Sequence, residues 1–537
     1  MGPMVRRRSS LVVLVVLLIG GVVAGCSSDD DGGSDPSATT NDPATTDTGD
    51  ETDETAEATT PLLDEPTGTL ADVDCWWDLS EIEPTVTVSC HTLTVPADWG
   101  DPDGGDEVVL PVARLHSKAV AGDVAPVVVL HGGPGGSLLD AAPVGRSKSR
   151  GVAARDVILW DQRGSGRAVP TLNCPEKEEA VMGALMTTDS VEVELQRNVD
   201  ATQACRDRLV GDGIDLDDYN THASVNDMEA LRVAMGVDTW NVQGASYGTR
   251  IGLAYARQHP EPIRALVLDS VYPPQVGTIE RIEAMAPTAL QRLVDECTDD
   301  AACAAVLPDL GDTIEAAAAS LDANPGEATL ALEFAGQKDE KDYRIVGSDF
   351  RSGMFAALYD TSIIPLLPSI IGDVADGDHG IVATFLQTAT PRLTGMSEGA
   401  YLSIDCADSG RLLEGASPED IVGEGDFFIY AMVLSATFCN IWDVTPLPEA
   451  FNEPSLPAVP TIVFAGTLDP VTPFMDSREQ AEAMADARFV LAPRGGHGDV
   501  GFDECTSEAY LAFLEDPTSD LPPCTADIAA PPFAVGG

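Results

Sequence analysis

Basic side chains are scarce in this sequence: 30 Lys and Arg stand against 88 Asp and Glu, for a formal net charge of −58, and only five of the 30 are Lys. No Lys or Arg occurs between Ser9 and Ala113. Nucleic-acid binding is therefore excluded as a function, because affinity for a phosphate backbone comes from basic groups that displace its counterions, and no basic stripe is available. The acidity reads instead as a solubility device suited to salty surroundings. Paired C-x-x-C spacings are missing as well, which removes the usual zinc and redox centres. No G-K-[ST] pattern follows a glycine loop, so a nucleotide-phosphate cradle has no support. The sequence points to no metal and no cofactor.

Long apolar runs are also lacking. The longest, "LVVLVVLLIGGVVAG", has 15 residues and follows the basic leader "MGPMVRRRSS". It is too short to span a membrane and reads as a signal peptide over residues 1–25. Val23-Ala-Gly-Cys26 resembles a bacterial lipobox, which implies cleavage before Cys26 and a lipid on its thiol. The expected location is the outer face of the bacterial cell membrane, with a soluble secreted form cleaved near that site as the alternative. Residues 26–65 are Asp, Thr, Glu, Gly and Ser with few large apolar side chains, too little to bury a core, and read as an acidic disordered tether.

Eleven cysteines less Cys26 leave ten, an even number in an exported chain, so disulfides are expected. The positions fall in neighbouring couples: Cys75 with Cys90, Cys174 with Cys205, Cys297 with Cys303, Cys406 with Cys439, and Cys505 with Cys524.

Eight β-branched runs mark strands at 85–96, 107–116, 126–133, 156–164, 239–246, 265–271, 461–469 and 487–493. The first two alternate, as an antiparallel hairpin does, and the later ones are continuous apolar runs suited to parallel strands covered on both faces. Helix-like segments such as "NDMEALRVAMG" separate them. The pattern predicts an α/β fold with an eight-stranded doubly wound sheet. Between Pro273 and about Pro457 the alternation stops and the chain becomes mostly helical. The expected division is a core at 66–273, an inserted helical cap at 274–456 over the ligand-binding edge of the sheet, and the rest of the core at 457–537.

"GASYG", Gly244 to Gly248, fits G-x-S-x-G between a strand and a helix, where Ser246 would sit on a sharp turn. A serine needs a base held by an acid. His497 in "APRGGHGD" follows the last strand on a loop of small residues, and Asp469 in "GTLDPVTP" follows the seventh. The order Ser246, Asp469, His497 is the α/β-hydrolase order, with Asp269 after the sixth strand as a rival acid. "HGGPGGS", residues 131–137, follows the third of these strands, where that fold draws an oxyanion donor. Gly133 N–H and Tyr247 N–H, the latter directly after the nucleophile, are assigned to that role.

"HGGPGGS", "WDQRGSGRA", "GASYGTR", "GTLDPVTP" and "RGGHGD" together resemble the proline iminopeptidase and tripeptidyl aminopeptidase group of α/β-hydrolases (peptidase family S33-like), particularly exported actinobacterial lipoproteins with a TAP-like C-terminal region. The resemblance spans about residues 70–527. It implies Ser246, Asp469 and His497 as triad, Gly133 and Tyr247 as oxyanion donors, and Asp161 to Gly166 as a support for the glycine loop, with Arg163 structural. The implied reaction releases an N-terminal tripeptide, or a single residue, from peptides with free N-termini. Recognition of a free ammonium calls for a carboxylate, for which Asp405 and Asp408 in "SIDCADSG" are candidates. The alternatives are a carboxylesterase for small or lipid esters, since the cap sets the choice, and a non-catalytic binding protein on a hydrolase scaffold.

Overall fold

A computed structural model describes residues 60–118, 124–140, 154–186, 191–334, 337–382, 396–410, 437–498, 500–501 and 503–535. The leader, Cys26 and the tether up to residue 59 lie outside the described residues; the expected end of the tether is corrected, because Thr60, Pro61 and Leu63 bond to Asn220, His222 and Asn226, and Leu62 and Leu63 pack on the core.

The central sheet is built from β1 (Thr69–Val73), β2 (Val86–Pro96), β3 (Glu107–Ser117), β4 (Val127–Leu130), β5 (Val157–Trp160), β6 (Trp240–Ala245) and β7 (Ile263–Asp269). A hairpin of β8 (Gly326–Phe334) and β9 (Gln337–Ile345) comes next in the chain, and β10 (Thr461–Gly466) and β11 (Ala487–Ala492) complete the sheet. Its nine strands run in the order β1-β2-β3-β5-β4-β6-β7-β10-β11. The sheet therefore has one strand more than the eight expected. The addition is β1, which pairs antiparallel along β2 from Thr69 opposite Thr94. Four of its five residues are exposed, so it carries no alternating apolar signal and is held by backbone hydrogen bonds at the sheet edge.

From β5 through β11 the neighbours are parallel. Every residue of β4, β5 and β10 is buried, as continuous Val, Ile and Leu runs require when helices cover both faces. The strand order reverses around β4, and the carboxyl ends of β4 and β6 lie side by side, Leu130 opposite Gly244. Open α/β sheets bind ligands at such a reversal.

Between β7 and β10 the chain runs through helices Thr278–Asp299, Ala301–Val306, Leu310–Ala323, Gly347–Leu358, Leu367–Ala375 and Glu398–Ser409. They include a separate apolar cluster of Leu293, Leu321, Phe350 and Ile371, which also takes in Leu468 from the core and Phe533 from the C-terminal segment. The β8–β9 hairpin within this insertion was not expected. Its second strand, "QKDEKDYRI", is mostly charged and carries no apolar period to reveal it.

Five disulfides join the neighbouring couples 75–90, 174–205, 297–303, 406–439 and 505–524. So many bridges mark a protein that folds outside the cytoplasm. Among the described residues no helix is long and apolar enough to cross a membrane.

Candidate active site

Ser246 stands between β6 and helix Tyr247–Gln258 with φ 55° and ψ −126°, a conformation L-residues adopt only where the surroundings enforce it. Its N–H donates to the Asp269 carbonyl at 3.0 Å, and its carbonyl accepts from Thr249 N–H at 2.8 Å. The flanking glycines are steric requirements. A Cβ on Gly244 would lie 2.2 Å from the Gly248 carbonyl oxygen, and one on Gly248 would lie 2.3 Å from that of Leu130. Gly132 is as constrained, since its Cβ would approach the Ser246 Cβ to 2.9 Å and Oγ to 3.4 Å. The turn thus aims the hydroxyl at the glycine loop, at the N-terminal end of a helix whose dipole favours negative charge.

Asp469 follows β10 and His497 follows β11, beyond β7 along the same edge of the sheet. Asp469 Oδ2 lies 2.9 Å from His497 Nδ1. The carboxylate also accepts the N–H groups of Val471 and Thr472, each at 2.9 Å, and the Thr472 hydroxyl at 2.7 Å. Burial alone would raise its pKa, but the charge and hydrogen bond of His497 and those backbone donors outweigh it and hold Asp469 below the usual carboxylate range. Thr472 Oγ1 also stands 3.2 Å from His497 Nδ1, so this hydroxyl touches both partners. Sequence reading missed it. The signal available was an aspartate three residues before a threonine, the spacing of a side-chain-closed turn.

Asp269, the rival acid, has another task. Its Oδ2 accepts Val500 N–H at 2.9 Å, and the neighbouring Ser270 hydroxyl accepts Gly498 N–H at 3.0 Å. The strand end that anchors Ser246 thereby also anchors the loop carrying His497. From the other side, Gly496 N–H donates to Thr361 at 2.8 Å, His497 N–H donates to the Tyr359 carbonyl at 3.2 Å, and the Tyr359 ring meets the imidazole edge-on at 5.0 Å. Arg494, with φ 56°, pairs with Glu296 at 2.9 Å and Asp300 at 3.2 Å, which ties the same loop to the inserted helices.

The glycine loop is fixed from below by Asp161. Its carboxylate accepts the Ser137 hydroxyl and the N–H groups of Leu138, Leu139 and Arg167. Burial raises its pKa to about 6 against these donors. Gly133 adopts φ 118° and Gly135 φ 87°, and a Cβ on Gly135 would lie 2.5 Å from the Ser397 carbonyl oxygen. Helix Glu398–Ser409 is seated there, with Ser397 N–H donating to Gly135 at 2.8 Å. Arg163 is buried and pairs with Asp227 at 2.6 Å while donating to the carbonyls of Ala97 and Asp218.

Asp408 requires a correction. Its side chain is fully buried, accepting the Thr221 hydroxyl at 2.5 Å with Arg250 at 3.6 Å, so it offers no face to an incoming ammonium. Asp405, on the same helix, is also buried, at 2% exposed, so the correction applies to it as well. Its charge, with that of Glu398, bears on the Tyr401 phenol, whose proton is held by burial and by these carboxylates. Glu398 was overlooked because nothing in the sequence shows that it starts the helix seated on the glycine loop. Its pKa is raised by burial against the opposing charge of Lys177. Cys174, Glu176 and Cys205 have metal-ligating types in reach of one another, but the two sulfurs are joined and Glu176 pairs with Arg208 at 2.7 Å.

This sheet, with a serine on its strand-to-helix turn, is the α/β-hydrolase fold, and the chain is a serine hydrolase of that class. Residues 125–304 match the α/β hydrolase fold family, and residues 426–523 match the family described as TAP-like protein. Among curated relatives, the serine protease Hip1 of Mycobacterium tuberculosis is 27% identical over 461 residues, covering 79% of this chain and 84% of that one. The tripeptidyl aminopeptidase of Streptomyces coelicolor is 29% identical over 211 residues, 37% of this chain and 38% of that one. The proline iminopeptidase of Xylella fastidiosa is 32% identical over 150 residues, 27% and 32% of the two chains. The chain is thus distantly related to these peptidases.

Proposed function

We propose that the protein is an exported, lipid-anchored aminopeptidase that releases N-terminal tripeptides from peptides through an acyl-enzyme on Ser246. The 2.9 Å contact of His497 Nδ1 with Asp469 carries the chemical part of this reading. It fixes the tautomer in which Nδ1–H points at the carboxylate and the Nε2 lone pair is left to act as base. His497 takes the Ser246 proton as Oγ bonds to the carbonyl carbon, and the N–H groups of Gly133 and Tyr247 hold the resulting oxyanion. The scissile C–N bond then breaks as His497 returns the proton to the departing amine. A water, deprotonated by the same imidazole, next attacks the acyl carbon and restores Ser246.

The peptide substrate is supported by the relatives: Hip1 matches along most of its length, and the tripeptidyl aminopeptidase of Streptomyces coelicolor matches over 211 residues. The inserted segment between β7 and β10 acts as the cap. The lipid on Cys26 places the enzyme at the outer face of the membrane, on the tether that follows it. Peptides with free or acetylated N-termini, incubated with the wild type and with Ser246→Ala and read by mass spectrometry, test the assignment. Tripeptides released only from free N-termini by the wild type are expected. Hydrolysis of short-chain esters with all peptides left intact would move the function to a carboxylesterase.

A further inference from the structure

Behind the turn that carries Ser246, buried polar side chains from three segments are linked in series. The Tyr247 hydroxyl lies 2.7 Å from Thr221 Oγ1, and the Thr221 hydroxyl donates to Asp408 Oδ2 at 2.5 Å. Thr221 has a single hydroxyl proton and directs it to the carboxylate, so the phenol must donate to Thr221. The chain of donors therefore runs one way, from Tyr247 to the negative charge of Asp408. Backbone N–H of Thr221 reaches the other carboxylate oxygen at 3.3 Å, and Arg250 stands 3.6 Å away as counter-charge. None of the four side chains is more than 1% exposed. Hydrogen bonds that end on a buried charge are the strong ones, and they set geometry more firmly than neutral pairs.

The origins of these residues matter. Tyr247 follows the nucleophile, Thr221 opens helix Thr221–Ala234 in the core, and Asp408 belongs to the helix of the inserted segment seated on the glycine loop. Arg250 lies on the helix after Ser246 and also donates to the carbonyls of Pro273 and Val276, at the point where the insertion leaves the sheet. Its guanidinium stacks 3.7 Å from the Tyr272 ring. The insertion is thus bolted to the Tyr247 side chain, and Tyr247 is the residue whose N–H is read as an oxyanion donor.

We propose that Thr221 and Asp408 are positioning residues for acyl transfer: they hold the Tyr247 phenol, and through it the orientation of the Tyr247 N–H, so that docking of the inserted helix completes the oxyanion site. The inference rests on the reading of Ser246 as nucleophile and of Tyr247 N–H as oxyanion donor. An amide misplaced by a fraction of an ångström loses much of its effect in the transition state while substrate binding is little changed.

The test uses p-nitrophenyl acetate, whose hydrolysis needs the oxyanion site but not peptide recognition, with active enzyme counted by the end-point of fluorophosphonate labelling at Ser246. Thr221→Val, Asp408→Asn and Tyr247→Phe should each lower kcat per labelled serine about tenfold with KM changed less than about twofold. Thr221→Ser should restore most of the loss of Thr221→Val, since it returns the hydroxyl. A lowered Tm with unchanged kcat per labelled serine would reduce the network to a structural one and overturn the proposal, as would a loss confined to KM. A wild type that neither labels nor turns over the ester would refute the underlying reading of Ser246, and the proposal with it.

Discussion

Asp469 and His497, on loops that follow neighbouring parallel strands, meet at 2.9 Å between Oδ2 and Nδ1, with Thr472 closing the third side of the contact. The carboxylate is 1% exposed and stays ionised because the imidazole and its backbone donors more than offset its burial. Asp469→Asn should therefore lower kcat by about four orders of magnitude, by favouring the wrong imidazole tautomer, while the fold survives. Asp269→Asn should cost less than about tenfold, because an amide oxygen can still accept Val500 N–H. Steady-state rates of the two purified variants on one substrate check both.

Thr472→Val removes the hydroxyl that donates to Asp469 Oδ2 at 2.7 Å. A lost buried hydrogen bond to a charged acceptor costs about 1.5–3 kcal/mol, so a fall in kcat of about tenfold or more is expected, with Thr472→Ser close to the wild type. Circular dichroism of each variant separates this from unfolding.

Asp161 gives the glycine loop a pH signature. Its folded pKa of about 6 is raised by burial above the ordinary 3.8, so between those values the folded protein holds a proton that the unfolded chain has released. Stability from this group is then full below the unfolded pKa and falls as pH rises through the folded one. At about 1.4 kcal/mol per unit, the loss amounts to roughly 2–3 kcal/mol. Asp161→Asn should flatten the decline in urea-unfolding free energy between about pH 4 and pH 6.

Gly244→Ala would bring a methyl 2.2 Å from the Gly248 carbonyl oxygen at a turn that cannot widen without moving Ser246. A destabilisation of about 1–3 kcal/mol, with activity lost more completely than stability, is expected. Thermal melts alongside rates show it.

The sheet was legible wherever strands are buried on both faces, because β4, β5 and β10 appear as unbroken apolar runs. It was not legible at β1, where only Leu70 packs against the core and the other four residues are exposed, or at β9, whose charges hide its pairing. In the site, Ser246, Asp469 and His497 stand out because each follows a strand and the glycines around them have steric reasons. Thr221 and Glu398 could not be read in this way, since their partners Asp408 and Lys177 are far apart from them in the chain, while Thr472, three residues after Asp469, was legible only as a turn and not as a contact with His497. Asp408 was misread for the same cause: a carboxylate in an acidic chain looks solvated until the fold encloses it, here between Thr221 and Arg250.

The central claim is that Ser246 is a nucleophile activated by His497. Its most direct test is intact-mass and peptide-level analysis after brief exposure to a fluorophosphonate, for the wild type, Ser246→Ala and His497→Ala. One adduct at Ser246 in the wild type, none in Ser246→Ala and labelling slowed by orders of magnitude in His497→Ala is the predicted result. An adduct elsewhere, or labelling of Ser246 that His497→Ala leaves unchanged, would contradict it.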